Sequence, residues 1–159
     1  DMQSASMKPE NNHLIKIYWT FLFLLFNQII ASEIVSAHTN QYTVPPKIQI
    51  FLDKHFSKYE IEKLKYDAKD GECKVKYKNG IKIEFNHNGD WEQIESEYAP
   101  LPKSIIDILP APAIAFSAGK YPHKHIIKIK HQSREYKVKL EDSLELKFDL
   151  QGHLIKMKD

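Results

Sequence analysis

Residues 72–89 read ECKVKYKNGIKIEFNHNG, a stretch in which apolar and polar residues alternate on both sides of Asn79-Gly80. Alternation with a period of two is typical of a β-strand with one buried face. An Asn-Gly pair favours a tight hairpin, because both central positions of that turn adopt a positive φ. The stretch therefore predicts two antiparallel strands whose apolar side chains face one core.

A second version of this stretch, EYKVKLEDSLELKFDLQG, occupies residues 135–152, 63 positions further along the chain. Val75 corresponds to Val138 and Phe85 to Phe148, and both versions close with a glycine. Both stretches have apolar residues at the same alternate positions, a turn at the same point and a glycine at the end. This agreement predicts a duplicated structural unit.

Each predicted unit consists of a helical segment followed by four strands. Pro45-Pro46 opens the first helix, since proline is tolerated in a first helical turn. The second helical segment contains Pro110 and Pro112, which predict a break near Leu109–Pro112 and two short helical pieces. We therefore expect an α+β fold of two tandem helix-plus-four-strand repeats, residues 38–98 and 99–159. One antiparallel sheet would carry the helices on one face.

Residues 7–37 have the order of a secretory signal peptide. A charged lead precedes an apolar run that is interrupted by Asn27-Gln28, and the small-residue site Val35-Ser36-Ala37 follows. This order predicts export with cleavage after Ala37 and a location in the periplasm or cell envelope. The alternative is an uncleaved anchor, although the interrupted run is shorter than a spanning helix requires.

Composition and motifs exclude several classes of function. A net charge of +2 without a basic block that contains aromatics argues against nucleic acid as a partner. The sequence has no Gly-x-Ser-x-Gly motif and no clustered glycines for phosphate binding, so we predict no catalytic residues and no cofactor. The one cysteine, Cys73, lies on the apolar side of its strand and is expected to be a buried residue, with no intramolecular disulfide.

Two short patterns in the sequence weakly suggest metal binding. His123, His125 and His131 would form a zinc or copper site only if the fold brought all three together, and no fourth ligand is evident. The oxygen-rich tract Asn86–Asp90 resembles part of a calcium loop but lacks the distal glutamate, so a β-turn is expected there. A metal-binding protein is therefore kept only as an alternative.

The doubled pattern resembles the PepSY-like, beta-lactamase-inhibitor-protein-like family of exported bacterial domains. The resemblance depends on residues 85–91, FNHNGDW, on Leu101-Pro102, and on residues 148–156, FDLQGHLIK. It covers about residues 44–158 and implies a tandem helix-plus-four-strand protein of the periplasm or envelope, usually without enzymatic activity. The proline-broken second helix departs from the family pattern. No interface residue of an inhibitor can be carried onto this chain.

The outward positions of the predicted strands are rich in lysine, with nine lysines against Glu84 and Glu145, while acidic residues are expected to gather in turns and helices. Such a face favours an acidic protein or envelope polymer as the partner. The simpler explanation is a solvated face that keeps the sheet soluble. We predict a non-enzymatic binding protein, with an inhibitor or regulator of a secreted hydrolase as the alternative. The predicted partner-binding residues are Lys74, Lys76, Lys82, Lys128, Lys130, Lys137, Lys139 and Lys147.

Overall fold

Within residues 43–158, eight antiparallel strands form one sheet in the order in which they occur in the sequence. The strands are β1 (Ile61–Tyr66), β2 (Cys73–Tyr77), β3 (Ile81–Phe85), β4 (Trp91–Ser96), β5 (Ile126–Gln132), β6 (Glu135–Leu140), β7 (Glu145–Asp149) and β8 (Leu154–Lys158). The structure is a computed structural model that describes residues 43–158. The predicted signal segment, residues 7–37, lies outside the described residues.

In the described part of the chain, three α-helices accompany the sheet: α1 (Pro46–Phe56), α2 (Lys103–Ile106) and α3 (Ala111–Lys120). Pro45 immediately precedes α1, and Pro110 immediately precedes α3. Proline lacks a backbone N–H and its ring clashes with the preceding helical turn, so α2 and α3 are separate helices. The predicted break near Leu109–Pro112 is therefore confirmed.

The hydrophobic core lies between the helices and one face of the sheet. Inward residues of the non-edge strands are fully buried, as Ile83 of β3 and Leu146 of β7 show with 0% exposure. The helices contribute Ile48, Leu52, Phe56, Ile105 and Ala113 to the same core, and Leu109 joins it from the segment between α2 and α3. The α+β class, the antiparallel sheet and the buried positions of Val75 and Val138 agree with the prediction.

The two predicted halves meet at the β4–β5 ladder, which we call the central seam. Ile94 of β4 is paired with Ile129 of β5, and both side chains are completely buried. Because this pair belongs to the core and to the ladder at once, the described strands share one continuous sheet and one core.

The turns that end β3 and β7 have the same hydrogen bonds. The Asn86 side-chain oxygen Oδ1 accepts the backbone N–H groups of Asn88 (2.9 Å) and Asp90 (3.1 Å). Asp149 Oδ1, 63 positions later, likewise accepts those of Gln151 (3.0 Å) and His153 (2.8 Å). The tract at Asn86 is thus the expected β-turn. The agreement is what a duplicated unit would produce, and the tandem repeat stays a prediction.

Candidate functional site

The sheet face opposite the core carries two rows of side chains that cross all eight strands, and we call it the lysine face. Each residue in a row is directly opposite the next one on the neighbouring strand. The first row is Lys63, Lys76, Lys82, Glu95, Lys128, Lys139, Glu145 and Lys158. The second row is Lys65, Lys74, Glu84, Gln93, Lys130, Lys137, Lys147 and Lys156.

These sixteen positions hold twelve lysines, three glutamates and one glutamine. All eight lysines that the sequence predicts for partner binding lie in the two rows. Four further lysines were missed: Lys63 and Lys65 on β1, and Lys156 and Lys158 on β8. Both pairs alternate with apolar residues, as Lys63-Leu64-Lys65-Tyr66 and Lys156-Met157-Lys158 show, so the alternation that identified the other lysines could have found them.

Seven of the cross-strand pairs on the lysine face place one lysine directly opposite another. They are Lys63–Lys76, Lys65–Lys74, Lys76–Lys82, Lys128–Lys139, Lys130–Lys137, Lys137–Lys147 and Lys147–Lys156. Neighbouring strands lie about 4.8 Å apart, and like charges directly opposite each other destabilise a ladder. These pairs are therefore unfavourable for the isolated sheet wherever no carboxylate offsets the repulsion.

Carboxylates reach part of this face, which corrects the expectation that acids gather in turns and helices. Glu95 on β4 lies 2.6 Å from Lys128 Nζ, and Glu62 on β1 lies 3.0 Å from Lys76 Nζ. Glu62 accepts a hydrogen bond from Lys76 and thereby raises the pKa of Lys76, which keeps that lysine charged. The further pairs are Lys82 with Glu95 (3.9 Å) and Glu97 (3.4 Å), and Lys137 and Lys147 with Glu135 (3.5 Å each).

Other lysines of the face have no such partner. Within residues 43–158, no carboxylate lies within 4 Å of the ammonium groups of Lys74, Lys130 or Lys139. A shallow depression of about 260 Å³ lies among the β1–β3 lysines and includes Lys74 and Lys65. The helices that pack on the sheet contribute to the core on the opposite face. The arrangement offers an acidic partner several cations that are not neutralised.

The cysteine and histidines do not form a reactive site in the described part of the chain. Cys73 is 0% exposed, and burial raises the pKa of its thiol to about 11, so it is a neutral thiol at neutral pH. His125 Nδ1 lies 3.1 Å from Glu141, whereas the His131 ring stacks on Tyr136 at 4.8 Å. These two histidines are six residues apart in an extended segment, roughly 20 Å.

No group of three or more His, Cys, Asp or Glu residues suited to a metal ion occurs in residues 43–158. The three predicted histidines are accordingly not brought together. In the same part of the chain, no helix has the length and hydropathy needed to cross a bilayer.

Comparison with known proteins identifies the family. A family model described as "Putative beta-lactamase-inhibitor-like, PepSY-like" matches residues 71–156, more than half of the chain. A "putative calcium-regulated periplasmic protein" from Bacteroides thetaiotaomicron is 31% identical, with a TM-score of 0.65, and the match covers 74% of this chain and 91% of that one. A comparison with curated proteins gave no match.

Two structures from Bacteroides vulgatus are also similar, and both are named putative periplasmic proteins. They are 29% and 28% identical, each with a TM-score of 0.63. The matches cover 73% and 74% of this chain, and 91% and 93% of the other chains. These names agree with the predicted periplasmic or cell-envelope location. The family that the turn and core motifs predict is confirmed: this chain belongs to the PepSY-like, beta-lactamase-inhibitor-like family.

Proposed function

We propose that this protein is an exported, non-enzymatic binding protein whose lysine face binds an acidic protein or an acidic polymer of the cell envelope. The observation that carries the proposal is the set of seven directly opposed lysine pairs on the face away from the core. An acidic partner would replace the repulsion within these pairs by attraction to its own charges.

Solubility alone explains this pattern less well. Lysine is useful on an edge strand because it discourages pairing with another sheet. Lys130 and Lys137, however, lie on β5 and β6 in the interior of the sheet, where no edge needs protection. A solvated surface is served equally by interspersed charges of both signs, which avoid repulsion. The excess of one sign therefore favours a role in binding.

The test is reversal of charge on the lysine face followed by capture from an envelope extract. A variant that carries glutamate at Lys76, Lys130, Lys137 and Lys139 should lose the acidic partners that the unchanged protein retains. A matched control reverses four exposed lysines away from the face: Lys54, Lys58, Lys69 and Lys120. If both variants recover the same partners as the unchanged chain, the lysine face is not the binding surface.

An inhibitor or regulator of a secreted hydrolase is the second candidate, supported by the name of the family. Beta-lactamase is the first enzyme to test, because the family name refers to its inhibitors. The pure protein should then reduce the enzyme's activity in a saturable titration. Unchanged activity at excess protein would argue against this function, without bearing on the lysine face.

We further propose that residues 38–98 and 99–159 are two copies of one unit. Support comes from the matching turns and from the cross-strand pairs Val75–Ile83 and Val138–Leu146, the second of which lies 63 positions after the first. The copies would extend the lysine rows across one sheet, which doubles the charged surface available to a long partner.

A further inference from the structure

The central seam opens at one end into a polar pocket. The β4–β5 ladder ends at the pair Gln93–Lys130, although β4 begins earlier, at Trp91, and β5 continues to Gln132. Beyond that pair, Trp91 is paired with β3 and Gln132 with β6. The two strands therefore separate and leave a pocket of about 500 Å³, which lies within the usual range for small-molecule sites.

The lining of this pocket is rich in groups that both donate and accept hydrogen bonds. Asn86 and Asp90 come from the β3–β4 turn, Glu92 from β4, and Gln132 and Ser133 from the end of β5 and the turn after it. Amides and hydroxyls can donate and accept, while carboxylates accept only. Such a mixture matches a ligand that presents many hydroxyl groups.

Trp91 adds an aromatic surface whose position is fixed by its neighbours. Its ring is half-buried and packs against the core. The centroid of the indole lies 5.5 Å from that of the His131 ring and 6.3 Å from that of the Tyr136 ring. An aromatic ring held in this way can pack against the C–H face of a sugar ring while polar groups bind the hydroxyls.

We infer that this pocket is a binding site for an uncharged saccharide. The lining carries charges of both signs, since Lys130 accompanies the carboxylates of Glu84, Asp90 and Glu92. Asp90 is already ion-paired with Lys47 at 2.7 Å. A strongly charged ligand of either sign would meet repulsion, whereas a neutral polyol would find hydrogen-bonding partners and an aromatic surface.

This inference goes beyond the proposed function and depends on different chemistry. The pocket shares Lys130 with the lysine face, but its ligand is recognised by hydrogen bonds and ring packing. Binding of an acidic partner should weaken steeply with salt. Binding of an uncharged sugar should not, so the two proposals can fail separately.

Tryptophan fluorescence provides a direct test, because the chain contains two tryptophans, Trp19 and Trp91. In the full chain with Trp19→Phe, the signal reports on the pocket alone. Maltotriose, cellotriose and N,N′,N″-triacetylchitotriose would each be titrated to about 10 mM, beyond the range of even a millimolar dissociation constant. We expect a saturable change with at least one of them that persists at about 1 M salt. No response to any of the three would overturn the inference.

Matched glutamine variants show whether the response comes from the proposed site. Gln132→Ala should raise the dissociation constant about three- to tenfold, as the loss of one hydrogen bond predicts. Gln151→Ala removes an equally exposed glutamine from the β7–β8 turn and should leave the constant unchanged. Equal affinities in the two variants, or amide chemical-shift changes located away from the seam in an NMR titration, would contradict the assignment.

Discussion

Lys130 of β5 and Lys137 of β6 are directly opposite each other in the interior of the sheet. Lys130 has Gln93 on its other side, and no carboxylate of residues 43–158 lies within 4 Å of its ammonium group. Two cations on neighbouring strands repel each other at every pH at which both are protonated. A residue other than lysine at one of these positions would therefore make the fold more stable.

Lys130→Glu should make the protein more stable. The substitution replaces repulsion from Lys137 by attraction and leaves Gln93 as an uncharged neighbour. The pocket carboxylates of Glu84, Asp90 and Glu92 lie more than 4 Å from the Lys130 ammonium group, so they oppose the change only weakly. We expect the free energy of unfolding, measured by urea denaturation, to rise by about 0.2–1 kcal/mol. The control Lys69→Glu, in the exposed β1–β2 turn, should change it by no more than about 0.5 kcal/mol. A clear loss of stability in Lys130→Glu would show that repulsion at this pair is unimportant.

The glycines that close the two equivalent turns should respond unequally to substitution. Both have a positive φ, +73° at Gly89 and +90° at Gly152. A Cβ at Gly152 would lie 2.8 Å from Pro110 Cβ and 2.9 Å from the Ala113 nitrogen, whereas the closest atom at Gly89 would be Lys47 Cδ at 3.3 Å. Gly89→Ala should cost about 1–2 kcal/mol from backbone strain alone.

Gly152→Ala should cost about 1–3 kcal/mol more, because rigid backbone and proline atoms must move to relieve the overlap. Chemical denaturation of both variants gives the comparison. Equal losses would mean that the start of α3 shifts easily away from the turn, contrary to its packing in the structure.

The described sheet should unfold as one cooperative unit, because the central seam is part of the core. Ile94→Ala removes a fully buried side chain opposite Ile129 and should cost about 2–5 kcal/mol. Fluorescence and far-UV circular dichroism should still report a single coincident transition. Two separated transitions in the unchanged protein would indicate that the halves fold independently.

Burial of Cys73 predicts a specific loss of stability in alkali. Its pKa is raised from 9.0 to about 11 in the folded protein, because burial disfavours the thiolate. Below pH 9 the thiol is protonated in both the folded and the unfolded protein, so the neutral buried thiol makes its full contribution to the free energy of unfolding. Between pH 9 and 11 the unfolded chain loses the proton first, and the contribution disappears as the pH rises.

Comparison with Cys73→Ala isolates this effect, since the variant should lose less stability between pH 9 and 11 than the unchanged protein. A thiol reagent at pH 8 should label Cys73 only after unfolding. Rapid labelling of the folded protein would contradict the burial of this side chain. Tyr77, whose pKa is also raised by burial, adds a similar loss at higher pH.

The strands, hairpins and buried residues were predictable because they follow from local patterns. Alternation placed Val75, Ile83 and Val138 on the core face. Asn79-Gly80 marked the turn between β2 and β3, but the expectation of a positive φ at both positions was wrong, because only Gly80 has one. Proline positions marked the starts of α1 and α3 for an equally local reason. Such signals need only the chemistry of a few adjacent residues.

Features that depend on pairing between distant strands were not predictable. Glu95 reaches Lys128 only because β4 pairs with β5 across 33 positions of the sequence. The pocket at the seam exists because that ladder stops at Gln93 and Lys130, a point that no local motif marks.

The affinity of the protein for poly-L-glutamate, measured by isothermal titration at low salt, tests the lysine face most directly. Reversal of Lys76, Lys130, Lys137 and Lys139 to glutamate should weaken binding at least about tenfold, or roughly 1.4 kcal/mol. Reversal of Lys54, Lys58, Lys69 and Lys120 changes the net charge equally and should weaken it much less. Similar losses in the two variants would show that binding follows overall charge and would contradict a specific role for the lysine face.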